Sequence, residues 1–122
     1  MVYTLTHPVK PHLLNATRNK HWAVRAKFTD EWRKAGAILA AEARLPKCVP
    51  AIGITVRHHV SGKGKLPDPG SSVECVKAFI DGIVDYGLIE DDTGEHMRHL
   101  CFLAPERAKF HGLSFDIEVL DA

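Results

Sequence analysis

Between Ser71 and Gly87 the chain reads SSVECVKAFIDGIVDYG, and the fold turns on this stretch. At about 100° per residue, Val73, Val76, Ile80, Ile83 and Val84 share one helical face, whereas Glu74, Asp81 and Asp85 nearly coincide on another. The pattern predicts an amphipathic helix laid on a hydrophobic surface. Ser71 with Glu74 three residues later has the form of a capping box, and Gly87 can supply a left-handed C-cap. Lys77 falls between the apolar and acidic faces, so it can point inward or pair with Asp81 one turn on. In that order an i,i+4 pair adds only about 0.2 to 0.5 kcal/mol.

The surface that such a helix covers is read from alternating segments. Ala51 to Val60 sets Ile52, Ile54 and Val56 against Gly53, Thr55 and Arg57, and Leu113 to Leu120 points Leu113, Phe115, Ile117 and Val119 one way. Val2 to Thr6 and Arg98 to Leu103 read as further strands, and Leu88 to Glu90 as a short extended piece. A first helix is expected from a Thr29 cap, with Asp30 and Glu31 in its first turn. Its packed side would carry Trp32, Ala35, Gly36, Leu39, Ala40 and Ala43, with Arg33 and Lys34 left to solvent. The expected architecture is α+β: a two-layer sandwich with a small mixed sheet of about four strands and two main helices on one face. It forms one domain over residues 1–122.

Composition agrees with a globular chain: 122 residues, 45% hydrophobic and 25% charged, with 9 Gly and 7 Pro, excludes disordered and collagen-like classes. No apolar run approaches the roughly 20 residues a bilayer requires, and no signal-like segment opens the chain, so no membrane partner and a cytoplasmic location are expected. Cys48, Cys75 and Cys101 are spaced too irregularly for a paired-cysteine zinc site and are read as reduced packing residues.

Charge is segregated along the chain. Residues 1–66 hold twelve Lys and Arg against three Asp and Glu, and residues 67–122 hold four against twelve. A basic half suits a polyanion and an acidic half suits divalent cations, unless the halves interleave on folding. His7 to Lys27 reads as a long basic loop in which Arg18, Lys20, Arg25 and Lys27 flank Asn19, His21 and Trp22. Such a loop can grip a phosphate backbone while the indole stacks on a base, or the indole can pin the loop to the core. Lys63 and Lys65 lie in a second basic loop punctuated by Gly62, Gly64, Pro67, Pro69 and Gly70.

Metal-assisted phosphodiester hydrolysis needs hard oxygen ligands. Asp68 before the second helix, Asp81 within it and Asp91 and Asp92 beyond it are the candidates, provided that the helix and the following piece fold back on each other. Alone, an Asp-Asp pair is ordinary turn chemistry. Lys77 near such a cluster would stabilise charge developing on a scissile phosphate.

The run Asp68-Pro69, Val76-Lys77-Ala78, Ile80-Asp81-Gly82-Ile83-Val84-Asp85, Gly87 and Asp91-Asp92 resembles the RusA family of Holliday-junction resolvases, in its phage and actinobacterial branch. Asn15 to Trp22 and Trp32-Arg33 are similar to the family's N-terminal half. The resemblance implies a homodimeric endonuclease that uses Mg²⁺, with Mn²⁺ as the alternative ion, to cut branched DNA by paired nicks. On that reading Asp68 and Asp92 are metal ligands, Lys77 is the catalytic lysine, and Asp81 and Asp91 support the metal site. Arg18, Lys20, Trp22, Arg25, Lys27, Lys63 and Lys65 would hold the DNA. Gly70 stands where the best-known members have a second aspartate, and Ser71 where they have asparagine. The alternative is therefore a junction-binding protein of the same fold that has lost catalysis. A third reading makes His58-His59 or His96 with His99 transition-metal ligands.

Overall fold

The computed structural model describes residues 1–13 and 21–121. In chain order the elements are β1 (Val2–His7), α1 (Trp22–Glu42), β2 (Ala51–Val60), a 3-10 turn (Pro69–Ser72), α2 (Val73–Tyr86), β3 (Met97–Phe102), β4 (Glu106–Arg107) and β5 (Gly112–Leu120). The sheet runs β1-β5-β2-β3. The short β4 pairs with β2 and makes the fifth strand. β5 is antiparallel to both β1 and β2, whereas β3 and β4 run parallel to β2. This is the expected α+β arrangement with a mixed sheet.

Alternation in the strands becomes a layer because the register aligns it. Leu5, Phe115 and Val56 lie in one cross-strand row, and Tyr3, Ile117 and Ile54 in the next. Phe79 of α2 stacks flat on Phe115 with ring centroids 3.9 Å apart, and Trp32 of α1 meets His7 edge-on at 4.7 Å. Val76, Phe79, Ile80 and Ile83 join Leu5, Ile54, Val56, Leu113 and Ile117 in a single buried cluster. The two helices cross where Gly36 and Gly82 meet: a Cβ on Gly36 would lie 2.2 Å from the Phe79 carbonyl oxygen.

Several sequence expectations are corrected. α1 already starts at Trp22, inside the stretch expected to be loop as far as Lys27, with His21 Nδ1 accepting a hydrogen bond from the Ala23 N–H at 3.2 Å. Residues 22–28 contain no glycine or proline to interrupt a helix, so the periodic pattern extends back past Thr29. The Thr29 hydroxyl is no cap; it donates to the Arg25 carbonyl inside the helix at 3.0 Å. The Ser71 hydroxyl donates to the Asp68 carbonyl at 2.7 Å and does not cap α2, whose N-cap is Ser72. Gly87 does end α2 in the left-handed region, at φ 103°. Leu88 to Glu90 is a turn, not a strand; Leu88 and Ile89 are buried, and the Gly87 and Leu88 carbonyls accept from Cys48 and Val49. Of the three free thiols only Cys75 is buried; Cys48 and Cys101 are exposed and do not pack the core.

One consequence of this topology governs the site. β2 and β3 are parallel and α2 connects them, so α2 must run back from the C-terminal end of β2 to its N-terminal end. The Ile52 N–H, near the start of β2, donates to the His96 carbonyl just ahead of β3, which fixes the far end of that crossover.

Candidate nucleic-acid interface

Both helices present the same spacing toward each other. Trp22, Arg25, Ala26 and Thr29 of α1 and Glu74, Lys77, Ala78 and Asp81 of α2 stand at i, i+3, i+4 and i+7, and together they line a groove of about 400 Å³. The helices run in the same direction. Arg25 bridges Glu74 at 3.1 Å near their N-terminal ends, and Arg33 grips Asp85 through two hydrogen bonds of 2.6 and 2.8 Å further along. Alanines at the third position of each set keep the groove open.

The acidic face of α2 is thus turned largely toward arginines. Arg25–Glu74, Arg33–Asp85 and Arg57–Asp116 each join the basic N-terminal half of the chain to its acidic C-terminal half, so the segregation seen in sequence is partly consumed on folding. Arg33, expected on the solvent side, is half-exposed but paired. The Asp85 carboxyl is held below the usual carboxylate range by the hydrogen bonds from Arg33. Among the described residues Lys77 makes no ion pair; it stands exposed at the groove, and the i,i+4 bridge to Asp81 is not formed.

Trp22 is 74% exposed, so of the two readings of the indole the one that pins a loop to the core does not hold. As the first residue of α1 it precedes the part of the helix that packs on the sheet, whose first fully buried residue is Trp32. Lys27 lies on the side of α1 away from the groove. Arg18 and Lys20 fall outside the described residues. Lys63 and Lys65 are exposed on the loop after β2, which Arg107 braces by donating to the Gly62 carbonyl at 2.9 Å and to the Gly64 carbonyl. This loop and Asp68 follow the C-terminal end of β2, the end from which α2 departs.

The four aspartates do not gather. Asp68 precedes α2, Asp81 lies in it beside the groove, and Asp91 and Asp92 follow its C-terminus, where Asp91 accepts a hydrogen bond from the Asp92 N–H at 2.7 Å. Two oxygens on one Mg²⁺ lie within about 4.2 Å of each other, whereas the 14 residues of α2 alone extend about 21 Å. Asp68 and Asp92 lie beyond opposite ends of that helix, so α2 by itself does not bring them together. Among the described residues no three His, Cys, Asp or Glu side chains form a metal-holding group. His58 and His59 point to opposite faces of β2. His96 hydrogen-bonds the Pro50 carbonyl, while His99 packs over Gly53, so neither histidine pair converges.

Sequence reasoning missed Ala26, Thr29 and Ala78 as groove residues, although the spacing repeated in the two helices was there to be read. It also missed the polar chain across the outer face of the sheet. There Thr6 meets Ser114 at 2.9 Å, Ser114 meets His59 at 2.7 Å, and His59 approaches Glu106 at 3.3 Å. No local signal links these residues, because the sheet register alone brings them together. Among the described residues no helix is long and apolar enough to cross a membrane. No protein-family model matches the chain, and no curated protein matches it.

Proposed function

We propose that this chain binds branched DNA through the end of the molecule where α1 and α2 begin, as the non-cleaving alternative within the RusA-like reading. The observation that carries the proposal is the state of Lys77: an exposed ammonium, without a carboxylate partner among the described residues, on a groove whose arginine neighbour is already paired. Lys77 is thereby available to a phosphate, and Lys63 and Lys65 add charge on the adjoining loop. Recognition rests on backbone charge and branch shape, and a homodimer would match the two-fold symmetry of a four-way junction.

Nicking with Mg²⁺ or Mn²⁺ held by Asp68, Asp81, Asp91 and Asp92 draws no support from one chain, since among the described residues no three of these carboxylates form a metal-holding group.

A labelled four-way junction, titrated with the protein in Mg²⁺ and again in Mn²⁺, tests the reading. The expected result is a retarded, intact junction whose affinity falls steeply with salt, and a Lys77→Ala variant that binds more weakly with a salt slope smaller by about one. Nicks that disappear in Lys77→Ala would replace this reading with the nuclease. Failure to bind any DNA would remove nucleic acid altogether.

A further inference from the structure

We propose that the α1–α2 groove receives one unpaired nucleobase stacked on the Trp22 indole, so that the chain favours DNA with an unpaired base over continuous duplex. The inference rests on the DNA-binding reading above and names what that groove takes. Trp22 leaves most of its ring in water at a fixed helical position, beside a cavity of about 400 Å³. An exposed indole with space beside it is a stacking platform, and stacking tolerates any base because each has a π face. Ala26 and Ala78 put only methyl groups into the groove, which leaves room for a flat ring.

The polar rim sets the orientation. Lys77 supplies a cation for the phosphate, while Asp81 repels phosphate and can accept hydrogen bonds from the amino group of a base. A strand therefore enters with its base inward and its backbone toward Lys77. In continuous duplex both faces of every base are covered by neighbours, so only a base already out of the stack can present a face to Trp22. The other tryptophan, Trp32, is buried and has no part in this.

The experiment uses the full chain and two DNA duplexes that differ only by one unpaired 2-aminopurine at the centre. Affinities are read by anisotropy of an end label, and stacking by the 2-aminopurine emission. The expected result is about tenfold tighter binding of the bulged DNA, with quenching of its emission. Trp22→Ala removes the quenching and brings the two DNAs to one affinity, and Trp22→Phe keeps most of both effects. Circular dichroism confirms that the variants are folded. Equal binding of the two DNAs by the unaltered chain, without quenching, overturns the inference and leaves DNA binding standing. Binding to neither DNA overturns the DNA reading and this inference with it.

Discussion

Asp68 and Asp92 stand at opposite ends of α2, the first just ahead of the turn that opens the helix and the second five residues beyond its glycine cap. The separation follows from connectivity. A helix joining two parallel neighbouring strands must traverse the sheet, so residues flanking its two ends are kept apart by its length. Asp81, two turns into α2, instead shares a groove with Lys77, and the two remain unbridged. Among the described residues, no three of the aspartates expected to share a cation form a metal-holding group.

The helix crossing offers a test in which two effects oppose each other. An alanine at an ordinary helical glycine position stabilises by about 1 kcal/mol. At Gly82 the added Cβ would lie 1.9 Å from the Arg33 carbonyl oxygen, which is backbone and cannot turn aside. Overpacking of this kind costs roughly 3 kcal/mol, so the Gly82→Ala variant should be less stable by about 2 kcal/mol in urea unfolding. A stabilised variant would mean that the helices do not meet at this residue.

Acid should unfold the protein partly through Asp116. Desolvation raises its carboxyl pKa, but hydrogen bonds from Arg57 and Thr4 and the guanidinium charge outweigh that, so the group sits below its ordinary value of 3.8. A depressed carboxylate lends stability that is present above about pH 4 and is lost as pH falls through the folded value. Asp116→Asn should therefore flatten the loss of stability below pH 4. Asp85, depressed by Arg33, keeps the remaining slope. An acid branch unchanged by the substitution would show that the Arg57–Asp116–Thr4 network contributes nothing to stability.

A second pH window belongs to His58. Burial lowers its pKa from 6.5, helped by the nearby His59 and His111, and its Nδ1 atom is buried without a hydrogen-bond partner. The unfolded chain takes up a proton near pH 6.5 that the folded chain resists, so stability declines as pH falls from there through the folded value. His58→Leu removes both the proton and the unsatisfied nitrogen. It should raise stability at pH 5 by about 1 kcal/mol and reduce the slope between pH 5 and 7. His7, also lowered by burial, accounts for the slope that stays. A variant that loses stability at pH 5 would show that the imidazole makes contacts of greater worth than its desolvation costs.

The two helices and the four longer strands were legible because each is encoded within a few residues, whereas the two-residue β4 was not. The apolar spacing of Val76, Ile80 and Ile83 marks α2, the left-handed preference of Gly87 marks its end, and the alternation around Ile54 and Phe115 marks the two central strands. Those signals depend on periodicities of 3.6 and 2 and on local backbone sterics, and they were sufficient to reach the α+β sandwich. The start of α1 was misplaced because Thr29 is a good cap residue in isolation. Nothing local says that the helix continues seven residues further back, where His21 does the capping.

What only the tertiary structure decided is which charges meet. The chain alone shows twelve cations in one half and twelve anions in the other. Strand order and helix direction decide that Arg25, Arg33 and Arg57 are spent on Glu74, Asp85 and Asp116, that Lys77 is left over beside Trp22, and that Asp68 and Asp92 flank opposite ends of α2. The reason is one of range: side-chain periodicity acts over a turn or two, whereas the three arginine–carboxylate pairs that join the two halves link residues 49, 52 and 59 apart in sequence.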